Sequence, residues 1–197
     1  MLASHICRWF LLGLLLLGYS SMAFAQTDPL KRYQTTWDSI KSLNYEGKTK
    51  TALQVAQNLY TTMDPNSTDP KILAANIKTF MIVQQNQAQL EEEGYVKALL
   101  RIEAEAAQSK GIKKAVLSSL SANLYEDYLQ SNLWKLRNRT ATADFDPVDI
   151  QTWDIERLTR KIYSLYQESI KDLATRQVPI ADFAPLLSTG ENTATLR

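Results

Sequence analysis

The stretch IERLTRKIYSLYQESIKDL, residues 155–173, decides the fold. Ile155, Leu158, Ile162, Leu165, Tyr166, Ser169 and Leu173 recur at three- and four-residue spacing, which gathers them on one face of an amphipathic helix. Moving towards the N-terminus, a loop from about Asn138 to Gln151 separates this helix from another that carries Leu117, Leu120, Leu124 and Tyr128 and reaches Trp134. Lys110-Gly111 turns the chain ahead of it. The preceding helix sets Tyr95, Leu99, Ile102 and Ala106 on an inward face and Lys97, Arg101 and Glu105 on a face expected to meet water.

Three more stripes lie upstream. Tyr33, Trp37, Ile40 and Leu43 form the first, ending at Asn44–Gly47. Ala52, Val55, Ala56, Leu59, Tyr60 and Met63 form the second, stopped by the Asp64-Pro65…Asp69-Pro70 loop. Leu73, Ile77, Phe80 and Met81 form the third. No run of alternating β-branched residues reads as a strand. Six helices with mostly short turns predict an all-α fold of antiparallel helical hairpins, with Trp37, Trp134 and Trp153 in its core. The first pair has a tetratricopeptide flavour, in Trp37, Ile40, Leu43, Gly47, Ala52 and Pro65, but the period is not repeated cleanly downstream. The expected architecture is a hairpin stack of α-solenoid character.

Residues 1–25 read as a secretory signal peptide: Arg8, a Leu-rich run from Trp9 to Gly18, and an A-x-A site at Ala23-Phe24-Ala25. The apolar run is shorter than the roughly 20 residues that span a bilayer. Cys7 lies before that run and not at the cleavage point, so it is not a lipoprotein cysteine. The remaining divisions are a helical domain over 26–187 and a flexible tail over 188–197. Export, to the periplasm or cell envelope, follows from the leader.

Cleavage after Ala25 removes the only histidine, His5, and the only cysteine, Cys7. With Arg8 also gone, 21 Lys+Arg balance 21 Asp+Glu. Disulfides, Cys/His zinc sites, Ser-His-Asp triads and Cys-His dyads all need side chains that such a chain lacks. Zero net charge gives no long-range pull on nucleic acid or anionic lipid. Glycine-rich phosphate loops and Ser-x-x-Lys cannot be written between residues 26 and 197.

Other candidates have bland explanations. Asp144, Asp146 and Asp149 suggest calcium, but an EF-hand loop beginning at Asp144 would need glycine and glutamate where Asp149 and Ile155 stand. Asp149 or Thr152 is instead expected to cap the sixth helix. Glu91, Glu92 and Glu93 precede the fourth helix, where the helix dipole favours negative charge, and read as a solvated face. Asn66-Ser67-Thr68 and Asn138-Arg139-Thr140 fit the short N-x-[ST] pattern. Trp134 with Lys135, Arg137 and Arg139 could stack and neutralise a nucleic acid, yet cations closing a helix on its free carbonyls, one over an indole, explain the same residues. No catalytic, cofactor-binding or metal-binding residue is assigned.

The order of these features nevertheless resembles a known family. Tyr33-x3-Trp37-x2-Ile40-x2-Leu43-x3-Gly47, Ala52-Leu53-x-Val55 and Leu59-Tyr60 are similar to the first helices of the large alpha-2-macroglobulin family proteins of Bacteroidetes-type bacteria. Leu117…Tyr125-x2-Tyr128, Asn132-x-Trp134, Asn138-Arg139-Thr140, Asp149-Ile150-x-Thr152-Trp153-Asp154 and Ile180-x2-Phe183…Leu186-Leu187…Gly190 continue the likeness in the same order. The resemblance implies a non-catalytic, exported N-terminal scaffold of a protease inhibitor. Its bait segment and Cys-x-Glu-Gln thioester would lie in downstream β-sandwich domains absent from this chain. It further implies protein partners, either those domains or an envelope protein. The alternative, from residue chemistry alone, is a free-standing periplasmic helical module that takes a peptide or protein in a groove.

Overall fold

The computed structural model describes residues 29–65, 67–137, 149–171 and 177–187. Within them are six α-helices and two short 3-10 segments, with no strand. Helices α1 (Pro29–Tyr45) and α2 (Thr49–Thr61) are joined by a tight turn in which Gly47 takes φ +75°, a conformation that side chains disfavour. Asp69 then starts α3 (Pro70–Ala88) by accepting a hydrogen bond from the Lys71 amide at 2.8 Å, with Pro70 in the first turn. The loop expected to stop one helix therefore also opens the next.

Helix α4 (Gly94–Gln108) follows a sharp reversal, and Gly94 is the residue that permits it. A β-carbon there would lie 1.9 Å from the Ala88 carbonyl oxygen, so the chain can pass only where no side chain exists. Helix α5 (Gly111–Leu136) is the longest. The 3-10 turn Ile150–Thr152 leads into α6 (Ile155–Ser169), and a second 3-10 segment, Ile180–Leu186, closes the described chain. Asp154, not Asp149 or Thr152, caps α6, accepting from the Arg157 amide at 2.7 Å. Asp149 caps the 3-10 turn through the Gln151 amide at 2.9 Å. The turn inserts a short extra element between the acidic loop and the helix, which shifts the capping role onward.

Each helix packs on the next in sequence, while α3 also touches α1 and α5. Thr49 at the start of α2 meets Gln89 just beyond α3, and Lys113 near the start of α5 meets Glu105 near the end of α4. Neighbours therefore run antiparallel. Three apolar clusters result: one among α1, α2 and α3 around Trp37 and Ile40; one among α3, α4 and α5 around Leu73, Ile77 and Leu117; one among α4, α5 and α6 around Tyr125, Trp153 and Leu158.

Two expectations about these cores are corrected. Helix α3 is buried on more than the stripe of Leu73, Ile77, Phe80 and Met81, because it lies centrally and receives neighbours on several sides; Ala74, Ala75, Asn76, Thr79, Gln84 and Asn86 are inside, while Phe80 and Met81 are half-buried. On α5 the fully buried line is Leu117, Ser118, Ser121, Ala122, Tyr125 and Leu129, while Leu120, Leu124 and Tyr128 are half-buried. Small serines face the neighbouring helices there and let the backbones approach, which a search for large apolar residues overlooks.

Trp37 and Trp153 are buried as expected, at 6% and 7% exposure, but Trp134 is 69% exposed. The helical phase explains it. Leu133 and Leu136 continue the packed face of α5, and Trp134 follows Leu133 by about 100° of helical rotation. The leader over 1–25 and the tail over 188–197 lie outside the described residues, as do Asp144, Asp146, Asn66 and Asn138–Thr140.

Candidate functional site

The most elaborate side-chain arrangement joins α4, α5 and α6. Tyr125 of α5 stacks on Trp153, with ring centroids 5.9 Å apart and planes inclined by 7°, and Arg157 lies 5.3 Å from the Trp153 ring. The Tyr125 hydroxyl donates to Glu103 Oε2 at 2.7 Å. Lys161 of α6 donates to the other carboxylate oxygen of Glu103, and its Nζ lies 5.7 Å from the Tyr125 ring. Arginine, indole, phenol, carboxylate and ammonium thus form one continuous chain of contacts across three helices. Burial, then the hydrogen bond to Glu103 and its charge, pushes the Tyr125 phenol far above its ordinary pKa.

A cleft of about 300 Å³ opens beside this chain, lined by Leu100, Ala104 and Ala107 together with Glu103, Tyr125, Trp153 and Lys161. Its chemistry is that of a clamp. Both oxygens of Glu103 are engaged, one by the Tyr125 hydroxyl and the other by the Lys161 ammonium.

A second hollow, of about 470 Å³, lies among α3, α4 and α5. Met81, Gln84, Ala88, Ala98, Leu99, Ile102 and Leu124 wall it, and the exposed Gln85, Gln89 and Tyr95 form its rim. The Tyr95 hydroxyl donates to the Leu124 carbonyl at 2.7 Å; burial, with a smaller effect of the Asp127 charge, raises its pKa to about 12. A mostly apolar wall with a neutral polar rim suits a side chain of another polypeptide better than a charged metabolite.

Comparison with protein-family models, with characterised proteins and with solved structures returns no match. The functional argument therefore rests on the residues themselves.

Several residues singled out in the sequence now have definite places. Arg101, expected in water, is half-buried: its Nε donates to Gln84 at 2.6 Å and its Nη1 to Glu91 at 3.0 Å. Gln87 donates to the same Glu91 carboxylate at 2.8 Å, and these two donors hold its pKa below the usual carboxylate value. Glu93 accepts from Gln151 at 2.9 Å, tying the start of α4 to the 3-10 turn. Glu92 and Glu93 are exposed, as a solvated face requires, while Glu91 is half-buried, and the bonds of Glu91 and Glu93 also bracket neighbouring elements. Apart from Gln87, four residues from Glu91, their partners lie 10 and 58 residues away, beyond any local sequence signal. Lys135 covers the Trp134 ring, at 5.5 Å. Among the described residues, no group of three or more His, Cys, Asp or Glu is placed to hold a metal ion. No described helix is long and apolar enough to cross a membrane.

Proposed function

We propose that this chain is a non-catalytic helical scaffold, exported to the periplasm or cell envelope. In this reading it forms the N-terminal region of a macroglobulin-like protease inhibitor and has a docking or spacing role towards protein partners. The observation that carries the reading is the Tyr125–Trp153 stack. The stretches on which the family resemblance rests, Leu117…Tyr125 and Asp149…Asp154, supply the ring pair, the buried Ile150 and the two acidic caps that lock α6 onto α4 and α5. Residues doing that work have their reactive atoms committed to packing and hydrogen bonds.

An antibody raised against residues 29–187 tests the reading in envelope fractions of the source cells. A polypeptide several times heavier than the 22.3 kDa of this chain, shortened in steps when proteases are added, is the expected outcome. The apolar hollow among α3, α4 and α5 favours the second reading, a free-standing peptide-binding module of solenoid character. A single envelope species near the mass of this chain would select it and end the inhibitor assignment.

A further inference from the structure

The second 3-10 segment, Ile180–Leu186, returns across the molecule and lies on α3. None of its residues is fully buried, and Ile180 is 69% exposed. It has no side-chain cap and contains Pro185, which removes one backbone donor. Two anchors hold it. Leu186 packs against the cluster built on Leu73, Ile77 and Leu117, and Asp182 faces Lys71 at 3.8 Å. The buried members of that cluster come entirely from α3, α4 and α5, and Leu186 adds to it only as a partly buried neighbour. Lys71 sits in the first turn of α3, its side chain still 55% exposed and loosely paired, so its charge remains accessible to another carboxylate.

From this we infer that the surface of α3 under Ile180–Leu186 is a binding site for a short 3-10 segment of another protein, and that this chain's own segment occupies it as a displaceable internal ligand. The chemistry of the seat defines the partner: a carboxylate for Lys71, with an apolar side chain four residues later for the α3–α4–α5 cluster, in the manner of Asp182 and Leu186. A tethered segment competes at the millimolar effective concentration that a short linker gives, so a partner binds only as well as the fraction of open molecules allows. The inference stands on the contacts of α3 and not on the macroglobulin reading.

A fluorescent peptide of residues 178–187, VPIADFAPLL, tests it by anisotropy against the whole chain. The unaltered chain is expected to bind weakly, and a chain carrying Asp182→Lys and Leu186→Ala, with unchanged helical circular dichroism, about ten-fold more tightly, as follows if the surface is open in about one molecule in ten. In a chain opened instead by Asp182→Ala and Leu186→Ala, adding Lys71→Glu should weaken binding of the native peptide and strengthen binding of a peptide carrying Asp182→Lys. Equal affinity for closed and opened chains would overturn the inference, as would indifference to Lys71→Glu. Loss of fold on opening would also overturn it, because it would make the segment part of the core. Dimerisation that Asp182→Lys abolishes, without peptide binding, would replace the proposed partner by a second copy and overturn it too.

Discussion

The α1–α3 region and the α4–α6 region each bury one tryptophan, yet they close around it by different means. Trp37 donates its indole N–H to Thr79 at 2.9 Å, lies tilted against Tyr33 at 6.3 Å, and otherwise sits among Ile40, Ala52, Ala56 and Leu59. Lys78 covers its ring at 4.2 Å, and burial lowers that lysine's pKa. Trp153 instead stacks on a phenol whose hydroxyl is held by Glu103, itself paired with Lys161. The first region relies on apolar burial and a neutral hydrogen bond. The second places a carboxylate and an ammonium at a three-helix junction, where charge-assisted bonds are stronger and the loss of one partner is costlier. Sensitivity to protonation should therefore be concentrated in the second region.

The largest expected effect ignores this difference. Trp37→Ala and Trp153→Ala should each lower stability by about 3–5 kcal/mol in urea unfolding, since either leaves a cavity in a packed core. A much smaller loss at one of them would show that its cluster is loosely packed. The comparison sharpens with the polar partners. Glu103→Leu, which leaves Lys161 unpaired and Tyr125 without its acceptor, should cost about 2–3 kcal/mol, against about 1 kcal/mol for Thr79→Val. Equal losses would contradict the contrast between charged and neutral closure.

Alkaline pH gives a third handle. Tyr95 is raised to about 12, and Tyr125 is raised further, while both contribute to the α4–α6 side. A group whose folded pKa exceeds its unfolded value near 10 contributes stability that is present below 10 and is lost as pH rises through the folded value. Absorbance titration should thus show these two phenols ionising late, with stability declining from about pH 10 upward. Tyr125→Phe should flatten part of that decline. The smallest effect belongs to Trp134→Ala, expected within about 0.5 kcal/mol because the side chain is exposed.

Most of the helical framework is legible because apolar spacing reports helix faces directly: Trp37, Leu59, Ile77, Ile102 and Leu158, one from each of five stripes, are buried, although Tyr95 of the fourth helix is 43% exposed. What escapes the sequence is of four kinds. The short 3-10 segments, Ile150–Thr152 and Ile180–Leu186, are too brief to show a period. Buried serines on α5 and the all-round burial of α3 depend on which neighbours arrive, and composition does not carry that. The aromatic character of Trp134 points to the core, but its phase relative to Leu133 and Leu136 turns it outward. The Glu103–Tyr125–Lys161 chain joins residues 22 and 58 positions apart, so only the fold could assemble it.

The account depends on one physical claim: the aromatic signatures act through packing, with Trp153 and not Trp134 at the heart of the three-helix junction. Acrylamide quenching of three variants, each keeping only Trp37, Trp134 or Trp153 and carrying phenylalanine at the other tryptophan positions, tests it most directly. Trp37 and Trp153 should resist quenching while Trp134 is quenched several-fold more efficiently. A shielded Trp134 beside a freely quenched Trp153 would contradict the account.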